Sequence, residues 1–274
     1  MKILDGKKIA DRILARLGKI IKKRRLKLKL AAVLVGNDPA SLSFVGRKKQ
    51  ACEKIGIAFS LYQFPVTISR QKLEREIQRI AKNPAISGAI IQLPLPKSID
   101  TDFVLNLLPP KKDVDCLGRR SLEKFREEKS LILPPVVDAV AKLTQAFGIK
   151  FAGKKVLVIG KGRLVGQPLM VWLPKQGAIV LTADKSTKDL AGLCLKADII
   201  ISGVGKPSLI RGEMIKKGAV IIDVGSSKKA GQIVGDVNFE SCAKIARAIS
   251  PVPGGVGPLT VACLLENLLI LSGN

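Results

Sequence analysis

Histidine is absent from the 274-residue sequence. Its absence removes the commonest general base near neutrality and the commonest transition-metal ligand. Ser-His-Asp and Cys-His nucleophilic sites are excluded, so proton chemistry falls to Lys, Asp, Glu, Tyr or Cys. Aromatic residues make up only 4% of the chain, which leaves the core to Ile, Leu, Val and Ala. No apolar run reaches the roughly 18–20 residues of a membrane-spanning helix. The N-terminus lacks the charged, apolar and small-residue order of a signal peptide, and a cytoplasmic location is the expectation. The five cysteines, Cys52, Cys116, Cys194, Cys242 and Cys263, are odd in number and form no CxxC pair. That spacing supports neither a disulfide framework nor a zinc site, so buried free thiols and no bound metal are expected.

Acidic residues are scarce against basic ones: 22 Asp+Glu face 47 Lys+Arg, for a formal charge of +25. Such a field attracts polyanions. The densest run is Lys19-Ile-Ile-Lys-Lys-Arg-Arg-Leu-Lys-Leu-Lys29. Ile9, Ile13, Leu14, Leu17, Ile20 and Ile21 recur at helical spacing beside it, which makes the run the solvated face of a first helix. No aromatic side chains are interleaved for base stacking, and nucleic-acid binding is the remote alternative.

What is present is an alternation of apolar elements. Hydrophobic residues reach 47%, enough for a sizeable core in one or two domains. Helices are predicted over 5–25, 40–55 and 69–82. Buried strands are predicted over 30–36, 57–63 and 86–92. A helix over 135–147 leads to a second α/β segment, with strands at 155–160, 197–202 and 219–223. Strands spaced by helices imply parallel βαβ units. An apolar helix from 258 to the C-terminus needs a partner surface.

Four stretches carry chemistry. Gly160-Lys-Gly-Arg-Leu-Val-Gly166 follows a strand and opens a helix, where backbone can approach a pyrophosphate. Its spacing is GxGxxxG, a weak signal alone. The next strand ends at Asp184-Lys185, where an acid selects the ribose of NAD and a base accepts the 2′-phosphate of NADP. Val35-Gly-Asn-Asp-Pro-Ala-Ser41 leads to Phe44 and Lys48, which share a helix face at i and i+4. Lys49 is turned away by about 100°. Finally, Ser250-Pro-Val-Pro-Gly-Gly-Val-Gly-Pro-Leu-Thr260 places three prolines and three glycines in eleven residues, a stiff loop that lets backbone approach a flat ligand.

PVPGGVGPLT, together with Gln92-Leu-Pro-Leu-Pro96 and Lys112-Asp-Val-Asp115, resembles the signatures of the bifunctional methylenetetrahydrofolate dehydrogenase/cyclohydrolase family. The resemblance runs from Asp5-Gly6-Lys7 to Leu265-Glu266-Asn267. It implies two α/β domains with a cleft between them: a catalytic, folate-binding domain over 1–134, completed by the helix 258–274, and a Rossmann-like dinucleotide-binding domain over 135–257. It implies oxidation of methylenetetrahydrofolate with NADP, NAD being the alternative, then hydrolysis of the methenyl product to formyltetrahydrofolate. By resemblance Lys48 is the catalytic lysine. Gln92 hydrogen-bonds it, and Asp115 accepts from the pterin. Phe44, Pro253, Gly254 and Gly255 line the folate. Gly160, Lys161, Gly162, Val165, Gly166, Lys185 and Ser226 hold the cofactor. A homodimer built through the second domain is also implied. Folate polyglutamate tails and nucleotide phosphates are polyanions, which suits a basic enzyme.

The chain departs from the family's pattern. Phe44 stands where the family has tyrosine, Gly162 where it has serine, Pro134 where it has threonine and Cys116 where it has glycine. Lys161 replaces arginine, and Ser226 and Ser227 replace Ile and Asn. A degenerate homologue, with dehydrogenase activity alone or folate binding without turnover, is the second reading.

Overall fold

The computed structural model describes residues 1–229 and 231–273. The first half of the chain carries β1 (Lys2–Ile3), α1 (Gly6–Arg24), β2 (Lys29–Val35), α2 (Pro39–Ile55), β3 (Ala58–Phe64), α3 (Arg70–Lys82), β4 (Gly88–Ile91), α4 (Thr101–Leu105) and α5 (Arg119–Arg126). Next come α6 (Pro135–Ala146), β5 (Lys155–Ile159), α7 (Gly166–Lys175), β6 (Ile179–Ala183), α8 (Leu190–Lys196) and β7 (Ile199–Ser202). The chain then forms β8 (Val220–Asp223), β9 (Ser227–Lys229), β10 (Gln232–Val234), α9 (Phe239–Ala243), β11 (Ala248–Ile249) and α10 (Val256–Leu271).

Two compact units result. One comprises Asp11–Pro135 with Val261–Asn274, the other Met1–Ala10 with Val136–Thr260. Residues 1–10 pack with the second unit, where Lys2 and Ile3 pair in parallel with Ala248 and Ile249. A two-residue strand has no period to read, and its partner lies at the far end of the sequence.

The first unit is built on a parallel sheet in the order β3-β2-β4. Central β2 is buried along nearly its whole length, as its unbroken apolar run Leu30–Val35 requires when both faces are covered. Leu73, Ile77 and Ile80 form the apolar stripe of α3 and pack with Ala31, Val33, Ala89 and Ile91. α2 starts where Asp38 accepts a hydrogen bond from the Ser41 N–H at 2.8 Å, with Pro39 at its first turn. Both are helix-start devices, and they fix the register of every side chain that α2 presents. From α10, Asn267 donates through Nδ2 to the Val114 and Leu133 carbonyls at 3.0 and 2.8 Å.

The second unit is a parallel six-stranded sheet in the order β1-β11-β8-β7-β5-β6. From β5 the chain moves outward to β6, then returns to β7 on the other flank of β5. That reversal is a topological switch point, and open α/β sheets bind ligands outside the carboxyl ends of the strands there. The strand pair β9-β10 stands apart from this sheet and is antiparallel. No helix among the described residues is long and apolar enough to cross a membrane.

Candidate active site

In the first unit, three of the expected residues come together. Lys48 lies on α2, and its Nζ donates to Gln92 Oε1 at 3.0 Å. Gln92 follows β4, is 6% exposed, and donates its own Nε2 to the Leu93 carbonyl at 2.7 Å. Its amide orientation is therefore set, with the oxygen turned to the lysine. Asp115 is the third member. Burial pushes its carboxyl above the usual range, and the nearby Lys48 charge opposes that rise. Among the described residues nothing donates a hydrogen bond to the Asp115 carboxylate, so its acceptor positions are free for a ligand.

Asp113, two residues earlier, is the opposite case. It is 3% exposed and accepts the Leu117 and Gly118 N–H groups at 3.0 and 2.8 Å. Those bonds shape the turn that carries Asp115. Within that turn Cys116 holds a left-handed φ of 56°. This conformation costs a non-glycine residue about 1–2 kcal/mol and suits the glycine found in the family.

Phe44 sits one helical turn before Lys48 and is half-buried. The Arg47 guanidinium lies over one face of its ring, 5.0 Å from the centroid. The other face is the surface on which a flat ring can stack. Lys49 is exposed and pairs with Glu53 at 3.8 Å, as its position around the helix predicts.

The second unit holds the remaining expected residues. Gly160 follows β5 with φ 94°, a left-handed backbone that favours glycine. Gly166 opens α7, and a Cβ there would fall 1.8 Å from the Gly160 carbonyl oxygen. Only glycine at 166 lets the loop close so tightly onto the strand. A Cβ at Gly162 would meet nothing within 4 Å, so this part of the loop offers open backbone. Val165 packs at the switch point, where a Cβ on Gly203 after β7 would strike its side chain at 2.5 Å.

Lys161 does not stand free. Its Nζ pairs with Asp184 Oδ2 at 2.9 Å, just beyond the end of β6. The Ser186 N–H donates to Asp184 Oδ1 at 2.9 Å. The Ser186 donors and Lys161 together hold the Asp184 carboxyl well below the usual carboxylate range. Lys185 is exposed beside it. These residues fit a dinucleotide: a tight glycine turn at the start of a helix, with an acid and two lysines where the adenosine ribose is read.

Ser226 is exposed in the segment after β8. Pro253, Gly254 and Gly255 lie just before α10, and the Gly254 carbonyl accepts the Lys7 N–H at 2.9 Å. All five cysteines are buried and free, and no metal-binding cluster occurs among the described residues.

Sequence reasoning assigned no role to the most elaborate polar arrangement of the second unit. Asp223 ends β8 and accepts from the Gly225, Asp236 and Val237 N–H groups at 2.9, 3.2 and 2.9 Å. Asp236 is fully buried and accepts from Ser202 Oγ, Val204 N–H and Lys206 N–H at 2.8, 2.7 and 2.8 Å. The two carboxylates fasten the segments that follow β7 and β8. Burial, reinforced by the Asp236 charge, pushes the Asp223 carboxyl up to about 7 against those hydrogen bonds. The available signal was an aspartate ending an apolar run, Val220-Ile-Ile-Asp223, but spacing does not show a second acid thirteen residues on.

Comparison with known proteins covers both parts of the chain. The catalytic domain of tetrahydrofolate dehydrogenase/cyclohydrolase matches residues 4–115, and its NAD(P)-binding domain matches 134–273. The bifunctional protein FolD of Nautilia profundicola is 41% identical over 278 residues, spanning 100% of this chain and 98% of that protein. The crystal structure of the bifunctional FolD enzyme from Campylobacter jejuni is 36% identical, with a TM-score of 0.94 over 100% of this chain and 99% of its own. The Trypanosoma brucei enzyme, solved with NADP and an inhibitor, is 33% identical with a TM-score of 0.93, covering 99% of this chain and 97% of its own. With both domain families matched and relatives aligned end to end, the chain belongs to the tetrahydrofolate dehydrogenase/cyclohydrolase family.

Proposed function

We propose that the chain oxidises methylenetetrahydrofolate to methenyltetrahydrofolate with NADP, then hydrolyses the product to formyltetrahydrofolate. The observation that carries the reading is the Lys48–Gln92 hydrogen bond beside an Asp115 carboxylate that accepts no hydrogen bond from the described residues. NADP, held at the Gly160–Gly166 turn, would supply the hydride acceptor for the methylene carbon.

The chain's residues supply position and proton traffic. Asp115 accepts the N–H groups of the pterin, and the Phe44 ring stacks on it. Lys48 Nζ is the proton-exchanging group. Water adds to the methenyl carbon and loses a proton to give a carbinolamine; its hydroxyl then loses its proton as the carbon–nitrogen bond breaks, and the departing nitrogen takes one up, so that one proton is released overall. Gln92 keeps the lysine aimed at that position, which is the entropic part of the catalysis. Gly160, Gly162 and Gly166 admit the cofactor's pyrophosphate, and Lys161 and Lys185 face its 2′-phosphate. Ser226 and the Pro253–Gly255 loop complete the cofactor and folate contacts. The enzyme acts in the cytoplasm as a homodimer, for which sedimentation at micromolar concentration is the test.

Paired spectrophotometric assays test the activity. Folate-dependent reduction of NADP and hydrolysis of the methenyl compound are both expected. Folded protein that does neither overturns the reading. The same assay with NAD reads the effect of Asp184, whose carboxylate stands where an acid grips an unphosphorylated ribose. The reading with dehydrogenase activity alone rests on Phe44, which lacks the hydroxyl. It survives only if hydrolysis is much slower than oxidation.

A further inference from the structure

The second unit has a concave basic site at the amino ends of its strands, the edge opposite the cofactor loop. A cavity of about 380 Å³ opens there, within the size range of small-ligand pockets. Five of its lining residues are cations: Lys150, Lys154, Lys216, Lys217 and Arg247. The single acid, Asp198, is already engaged by Lys216 Nζ at 2.7 Å and by the Lys155 N–H at 2.9 Å. Those two donors hold its carboxyl below the usual range. Lys150, Lys154, Lys217 and Arg247 make no ion pair among the described residues.

Their placement follows from the fold. Lys154, Asp198 and Arg247 immediately precede β5, β7 and β11, and the sheet order β11-β8-β7-β5 sets them in a row. Adjacent strands are ~4.8 Å apart, so the row from Lys154 to Arg247 spans ~14 Å. Lys150 and Lys217 flank it from the loops before β5 and β8. Four unpaired cations around one concavity concentrate positive potential. The lining includes no aromatic residue, so the site has no platform for a base. The backbone N–H groups along the row are also used: those of Asp198, Val220 and Arg247 donate to the Lys155, Asp198 and Ala219 carbonyls. Recognition therefore falls to the side-chain cations alone.

We infer that this cavity binds a short phosphate chain, such as inorganic tripolyphosphate or the triphosphate of a nucleotide, separately from the cofactor. β5 has five residues, which places the cavity ~16 Å along the strand from the cofactor loop.

The test is calorimetric titration of the full enzyme with tripolyphosphate at physiological salt, with NADP saturating so that the cofactor's phosphate positions are filled. Saturable one-to-one binding is expected. The variant Lys150→Gln/Lys154→Gln/Lys217→Gln/Arg247→Gln should weaken it at least about tenfold, with NADP affinity and thermal unfolding unchanged. A charge-matched control, Lys19→Gln/Lys22→Gln/Lys23→Gln/Arg24→Gln on α1, should leave binding within about twofold. The single variants Lys154→Gln and Arg247→Gln should each give part of the loss, which protects the test if the quadruple variant folds poorly. ATP and tripolyphosphate of equal affinity support recognition of the phosphate chain itself. Absence of saturation, equal weakening by the control, loss of binding when NADP is added, or tighter binding of a single-stranded oligonucleotide overturns the assignment.

Discussion

Asp115 in the first unit is half-buried and Asp236 in the second is fully buried, and the two carboxylates are treated in opposite ways. Asp236 accepts three hydrogen bonds from Ser202, Val204 and Lys206. Asp115 accepts none from the described residues and has only the charge of Lys48 nearby. A buried acid with its acceptor positions filled is part of the scaffold, because its desolvation is already offset. A partly buried acid left open carries a desolvation cost that a ligand can repay. Lys48 belongs to the open arrangement, held by a single side-chain bond to Gln92. On this comparison, breaking the open site should cost activity, and breaking the filled one should cost stability.

The largest expected effect is at Lys48. Lys48→Met keeps the apolar stem and removes the titrating group. Hydrolysis of the methenyl substrate should fall by a factor on the order of 10²–10⁴. Folate binding should remain measurable and the urea midpoint should shift little. Full retained turnover would show that Lys48 is not the proton-exchanging group.

Asp236→Ala is the complementary break. It strands the Ser202 hydroxyl and two N–H groups in a buried site, and should destabilise the protein by about 3 kcal/mol or more. Asp115→Ala, run beside it in urea unfolding, should change stability by less than about 1 kcal/mol while abolishing folate affinity. Equal losses of stability would erase the distinction between the two acids.

The third effect is a pH dependence. Asp223 titrates near 7 in the folded chain and near 3.9 when unfolded. Between those values the folded state binds the extra proton. Asp223 therefore contributes most stability at acid pH, and loses that contribution as pH rises from about 4 through about 7. Against Asp223→Asn, the wild-type urea midpoint should decline across that window. A flat difference would mean that Asp223 is already ionised throughout.

The smallest effect sharpens the open site. Phe44→Tyr restores a hydroxyl one turn from Lys48. Hydrolysis should rise by roughly tenfold, the equivalent of one transition-state hydrogen bond of about 1.4 kcal/mol. An unchanged rate would show that the missing hydroxyl is not limiting.

Much of this was legible from local pattern. The run Leu30–Val35 reads as a buried parallel strand because both its faces are apolar, and it is one. The stripe Leu73, Ile77 and Ile80 reads as the inner face of a helix, and packs as one. Lys48 and Gln92 were legible through motifs, although forty-four residues separate them. The two-residue strands Lys2–Ile3 and Ala248–Ile249 were not, since two residues carry no period and their partners are remote. The Lys161–Asp184 pair was also missed. Asp184 was read as a ribose selector and Lys161 as a cofactor contact, and only the folded turn shows that they neutralise each other.

The sequence by itself determined the alternating α/β order, the absence of histidine chemistry, the residues of the lysine site and the glycine turn for a dinucleotide. Each of these is a property of a short segment, set by side-chain period, by φ preference or by which groups can carry a proton. Tertiary structure alone decided which acids are saturated and which are left open. It brought Asp223 to Asp236, left Asp115 without donors among the described residues, and set Lys154 and Arg247 in one row at the amino ends of the strands. Hydrogen-bond satisfaction depends on distances across a few ångströms between segments remote in sequence, and no local pattern encodes those distances.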